Sequence, residues 1–63
     1  MSFQYINPTE EQKVQMQTFR DIYQSLADQI KQEVSASRGV SLALTNLEQS
    51  AFWLNKAITK NDN

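Results

Sequence analysis

Apolar residues return along this chain at alternating steps of three and four. Met16, Phe19, Tyr23, Leu26 and Ile30 form one stripe; Val40, Leu44, Leu47, Ala51, Leu54 and Ile58 form a second. That period puts each set on one side of an α-helix, the arrangement two antiparallel helices need along a shared seam. Between the stripes lies SASRG, residues 35–39, a turn short enough to fold the helices back on each other, with Ser35 or Ser37 able to cap the second. Asn7-Pro8 reads as the start of the first helix: Asn7 can accept from exposed backbone N–H groups, Pro8 presets the helical φ, and Glu10 stands at the reach-back position of a capping box. Gly39, the one glycine, suits the turn or the first turn of the second helix. The expectation is a single all-α domain over residues 1–63: an arm over 1–7, a helix over about 8–35, a turn at about 35–38 and a helix over about 38–59. No strand or repeat is indicated.

Six large apolar residues fall off the stripes: Val14, Ile22, Val34, Leu42, Phe52 and Trp53. Phe52 and Trp53 are neighbours, about 100° apart around a helix, so both cannot lie on one seam. An aromatic side chain buries on the order of 150–250 Å², worth several kcal/mol at about 25 cal/mol per Å². The surplus predicts that the antiparallel two-helix hairpin assembles into a homo-oligomer. The arm holds Phe3, Tyr5 and Ile6, too apolar for a free tail. Either Ile6 staples onto the first helical turn or the arm lies across a partner subunit.

Size points the same way. A chain of 63 residues hides only roughly 60% of the surface it exposes when unfolded, so small domains lean on disulfides, metals or partners. Cysteine and histidine are both missing, which removes disulfides and the common zinc sites. Six Lys/Arg against seven Asp/Glu give a charge of -1, against the broad basic face that DNA or RNA polymers need. The opening MSFQYINPTEEQ lacks the basic and apolar blocks of a signal peptide. No apolar run reaches the roughly 18 residues of a membrane span. A soluble cytoplasmic protein is expected.

Catalysis finds little to work with: no histidine or cysteine as base or nucleophile, and no glycine-rich phosphate loop. Asp21 and Asp28 share a helical face, but a solvated flank explains them better than a metal or acid–base pair. No catalytic residue, metal ligand or cofactor is assigned. Binding residues are better candidates. Arg38, at the turn, stands near a helix N-terminus that favours anions. With Ser41 and Thr45 it makes a polar line suited to phosphate oxygens; the alternative is an arginine paired to a surface carboxylate and hydroxyls bonded back to the helix. Arg20 is a cation in mid-helix. Tyr5 can stack on a base or simply pack onto the hairpin. Lys13, Lys31, Lys56 and Lys60 read as solubility charges.

Two strings go beyond amphipathicity. F-Q-Y-I-N-P-T-E-E-Q, from Phe3 to Gln12, resembles the F-x-Y-x-x-P-T-x-x-Q opening of small phage proteins built on a helical hairpin. S-R-G-V-S-L-A-L-T-N-L-E-Q-S-A-F-W-L-N-K-A-I, from Ser37 to Ile58, is similar to their second helix, S-R-x-x-S-L-A-L-T-x-L-E-x-A-x-x-W-x-x-x-A-I. The hairpin is the one shared by the anti-CBASS 2 nucleotide sponges and the Thoeris anti-defence 1 proteins. The resemblance implies a non-catalytic phage protein that sequesters cyclic nucleotide immune messengers in the cytoplasm of an infected bacterium. Anti-CBASS 2 members are hexamers that take cyclic dinucleotides at subunit interfaces and cyclic trinucleotides at separate sites; Thoeris members bind cyclised ADP-ribose messengers. The short chain, without the extra segment of the longer Thoeris proteins, leans towards the anti-CBASS type. By resemblance Tyr5 stacks on a nucleobase and Arg20 meets phosphate. Arg38 and Thr45, with Ser41 between them, are candidates for phosphate or second-site contacts, and Trp53 closes an interface. The rival expectation is a structural hairpin that offers Phe52 and Trp53 to a host protein, with no nucleotide ligand.

Overall fold

The structure is a computed structural model, and it describes residues 7–60. Two helices, α1 (Glu10–Glu33) and α2 (Arg38–Ile58), pack side by side as a hairpin, and no strand occurs among the described residues.

The start of α1 corrects the sequence expectation. Thr9, not Asn7, is the cap: its Oγ1 accepts from Gln12 N at 3.1 Å, and Gln12 Oε1 accepts from Thr9 N at 2.8 Å. The reciprocal capping box is the same device moved two residues on, with Gln12 in place of Glu10. Gln12 has the advantage of a second function that a carboxylate lacks. Its Nε2 donates to Ile58 O at 2.9 Å, at the far end of α2. Pro8 then precedes the cap, while Glu10 and Glu11 still stand at the positive end of the helix. Along the exposed side of α1, Gln17, Gln24 and Gln29 donate to Asp21, Asp28 and Glu33 one turn on, at 2.8, 3.0 and 2.9 Å. Asp21 and Asp28 are thus held on the solvated flank that sequence reasoning preferred.

The helix ends at Val34, whose extended backbone (φ -121, ψ 128) turns the chain away while its N–H still reaches Ile30 O. Ser37 rather than Ser35 caps α2, accepting from Val40 N at 3.2 Å. Gly39 lies inside the first turn of α2 and has no positive φ. At the other end all four last carbonyls find partners. Asn55 O takes Thr59 N and Oγ1, Lys56 O takes Thr59 Oγ1, Ala57 O takes Lys60 N, and Ile58 O takes Gln12. Lys60 is left-handed (φ 58), the usual way for a helix to stop.

The seam joins Gln12, Met16, Phe19, Tyr23, Ala27 and Ile30 to Val40, Leu44, Leu47, Ala51, Leu54 and Ile58, all half-buried. The α2 stripe is the one the spacing gives. On α1, Ala27 takes the place expected of Leu26, which is 44% exposed. Steps of four advance the stripe by about 40° each, so the line through Phe19 and Tyr23 runs on to Ala27 and leaves Leu26 on the shoulder. Tyr23 Oη and Ser50 Oγ share a 2.7 Å hydrogen bond between the helices.

The molecule is 12 Å through its thinnest direction, one helix thick. Among the described residues only Thr59 is buried, at 6% exposure, and no apolar residue is. All six off-stripe residues, Val14, Ile22, Val34, Leu42, Phe52 and Trp53, are exposed. Phe52 and Trp53 meet edge to face at 5.4 Å, with Lys56 Nζ 5.2 Å from the Phe52 ring centre. No helix among the described residues is long and apolar enough to cross a membrane.

Candidate ligand-binding groove

A hairpin has no interior, so any site it offers is a furrow beside the seam. One such furrow of about 330 Å³ runs between the helices, at the small end of the roughly 300–1,000 Å³ range of ligand pockets. Its apolar floor is laid by Phe19, Leu44 and Leu47, and the small side chains of Ala27 and Ala51 make it concave. Larger residues at those two seam positions would fill it. The α1 rim carries Arg20, Gln24 and Lys31, which recur at steps of four and seven and so share one shoulder of the helix. The α2 rim carries Glu48 and Asn55.

Two cations face one carboxylate, so the furrow is positive by one charge. Arg20 and Lys31 have no ion-pair or hydrogen-bond partner among the described residues; the ion pair found there joins Lys13 to Glu10 at 3.5 Å near the start of α1. Lys31 stands eleven positions beyond Arg20 on α1, about 16 Å along the axis. They cannot grip one phosphate together, and each marks its own end of the furrow.

The sequence-derived candidates are spread out rather than gathered. Arg20 lies on the furrow. Arg38 opens α2 at the turn, fully outside the furrow lining, and Ser41 and Thr45 follow it along the exposed outer shoulder of α2. The proposed polar line thus exists as a line on one helix. Arg38 forms no ion pair, and the Ser41 and Thr45 hydroxyls form no hydrogen bond, with the described residues. Tyr5 lies outside the described residues, as do Phe3 and Ile6. Sequence reasoning passed over Gln24, Lys31, Glu48 and Asn55. The signal was available for α1, since Arg20, Gln24 and Lys31 follow a helical step. It was not available for the opposite rim without knowing the register of the helices. Among the described residues no three acidic side chains come together to hold a metal ion.

Comparison with known proteins supplies what a furrow of this size cannot. No curated protein and no solved structure matches the chain significantly. The profile of the family described as "Acb2/Tad1, hairpin domain" matches residues 1–59, which takes in both helices, the capping box and the arm. This is a family of messenger-binding sponges rather than of enzymes, and the hairpin it describes is the architecture found here. The chain belongs to the Acb2/Tad1 hairpin-domain family.

Proposed function

We propose that this protein is a non-catalytic phage anti-defence sponge, which captures the cyclic oligonucleotide messengers of bacterial CBASS immunity inside the infected host. Cyclic dinucleotides are the first ligand class, with cyclic trinucleotides as a second at separate sites. The observation that carries the reading is family membership over residues 1–59.

The physical features support it. A furrow open along one side cannot enclose a dinucleotide alone, because well-formed sites cover most of their ligand. The exposed apolar residues favour assembly of several copies, with a hexamer as the expected form. Copies packed side by side would roof the furrow and complete the site. Tyr5 would stack on a base and Arg20 would meet phosphate, with Arg38, Ser41 and Thr45 serving the phosphates or the second site. Tyr5 is four residues from Thr9, a reach of at most about 14 Å of extended chain, and Arg20 lies about 16 Å along α1 from Thr9. An arm of that length can bring its aromatic ring to the Arg20 end of a furrow.

Capture is stoichiometric, so it requires affinity above that of the immune effector and no turnover. Calorimetry against cyclic di-GMP, 3′,3′-cyclic GMP-AMP, cyclic tri-AMP and cyclic ADP-ribose isomers tests the ligand class. Tight binding of a cyclic oligonucleotide, recovered intact after heat denaturation, is the expected result. Binding confined to the ADP-ribose isomers would move the protein to the Thoeris messengers. Silence across the panel would leave a protein-binding hairpin, and cleaved messenger would defeat the sponge reading.

A further inference from the structure

The register of the two helices defines the Arg20 end of the furrow. Gln12 meets Ile58 and Tyr23 meets Ser50 across the seam, so the α2 residues level with Arg20 fall within positions 50–53 of this antiparallel pair. Of these, Ala51 is the one that lines the furrow. The gap over its methyl group therefore opens across from Arg20. Glu48 and Asn55 flank that gap on the same rim, about 4.5 and 6 Å away along α2, and the Phe19 and Tyr23 rings line the same stretch. A cation on one wall, an aromatic floor and two hydrogen-bonding groups on the other wall make a half-site for one nucleotide. Packed helix axes lie about 8–10 Å apart, the scale of a nucleotide from its phosphate to the far edge of its purine.

Glu48 is the member of this group that phosphate does not explain. A carboxylate on that rim opposes the charge of a phosphodiester, and it has no ion-pair or hydrogen-bond partner among the described residues. An ionised carboxylate can only accept, through two oxygens. Guanine offers two parallel donors on its Watson–Crick edge, N1–H and N2–H. Adenine sets a ring-nitrogen lone pair beside its one amino donor. We propose that Glu48 selects guanine: with a phosphate on Arg20, the attached base lies over Ala51, and its N1–H and N2–H donate to the Glu48 carboxylate. This rests on the reading of Arg20 as the phosphate contact. Asn55 carries both a donor and an acceptor and so suits either purine, which leaves the discrimination to Glu48. Paired bonds to a charged group are the strong ones, and a carboxylate facing adenine forgoes them.

The test is calorimetry of the parent and Glu48→Gln with cyclic di-GMP, cyclic di-IMP and cyclic di-AMP. Cyclic di-IMP keeps the N1–H of guanine and lacks the N2 amino group. The parent should bind cyclic di-GMP at least about tenfold tighter than cyclic di-AMP, with cyclic di-IMP between them. Glutamine keeps the length of the side chain but exchanges one acceptor oxygen for a donor. The preference should then shrink to about twofold or less, with cyclic di-GMP weakening and cyclic di-AMP tightening. Equal parental affinities for the three ligands, or an unchanged ratio in Glu48→Gln, would overturn the assignment while the sponge reading stood. A common gain for all three would mean that the carboxylate only offsets Arg20, and would overturn it as well. Sedimentation velocity should show both proteins in the same assembly; a Glu48→Gln variant that assembles differently would put Glu48 in a contact between copies and count against the assignment. A parent that binds none of the three would instead fail the proposed cyclic dinucleotide function, and this inference with it.

Discussion

Replacing Trp53 by aspartate tests whether the exposed apolar face serves assembly and, through assembly, ligand capture. Trp53 is 56% exposed and lies off the seam, so the hairpin's own packing hardly depends on it. A tryptophan offers up to about 250 Å², which leaves roughly 140 Å² wet in the isolated chain. Covering that area would contribute about 3.5 kcal/mol per copy at 25 cal/mol per Å². Aspartate forfeits the gain and adds a carboxylate that an apolar interface must desolvate. The subunit dissociation constant should therefore rise by at least about 300-fold, since each 1.4 kcal/mol is a factor of ten. Sedimentation velocity over a concentration series reads the assembly, and circular dichroism at the same concentrations reads whether the released hairpin stays folded. Calorimetry with the messenger then reads the site. Parent protein should sediment as an oligomer, and Trp53→Asp should sediment as a monomer with weakened binding. A Trp53→Asp variant that assembles like the parent would refute the interface assignment. A monomer with parental affinity would refute the claim that the site forms between copies.

Thr9→Ala removes the cap of α1 and should cost about 1 kcal/mol, a fall of roughly 4–8 °C in thermal midpoint by circular dichroism. Gly39→Ala should do the opposite. A Cβ there would meet only Ser37 Oγ at 3.7 Å, and alanine favours the helix by about 0.5 kcal/mol, so the midpoint should rise by roughly 2–4 °C. Tyr23→Phe breaks the 2.7 Å bond to Ser50 between the helices and should cost about 1 kcal/mol in urea unfolding, with little further loss on adding Ser50→Ala. Arg20→Ala should weaken messenger binding by about ten- to a hundredfold, the worth of a charge-assisted hydrogen bond, and a parental calorimetric affinity would exclude Arg20 from the phosphate contact.

The fold was legible because two periodic stripes and one serine-rich turn leave a short chain few options. The α2 stripe from Val40 to Ile58 is the half-buried set of the structure. The errors fell where two candidates compete within a turn of helix. Asn7 with Glu10 and Thr9 with Gln12 are equally good capping boxes by spacing, and the choice between them is made by Ile58 O, which only the folded hairpin brings near. Leu26 and Ala27 are equally acceptable neighbours of Tyr23, and the drift of the stripe decides for the smaller residue. In the first case a long-range partner, about which periodicity carries no information, accompanies the cap that forms; in the second the drift of the helical stripe settles the tie.

The same tie at position 27 bears on function. Had the seam run through Leu26, the stripe would have been uniformly bulky and the groove between the helices shallow. With Ala27 and Ala51 both at the furrow, the helices keep a depression, and Arg20 and Lys31 stand along its rim. A sequence scan ranks alanines as weak core residues and lysines as solubility charges, so it undervalues the positions that give the hairpin a concave, positively edged side. The residues it does single out, Arg38, Ser41 and Thr45, lie on the exposed outer shoulder of α2. On a lone hairpin that shoulder is bare surface. It becomes part of a site only if another copy is laid against it, so whether these residues matter is decided by the same assembly that Trp53→Asp disrupts.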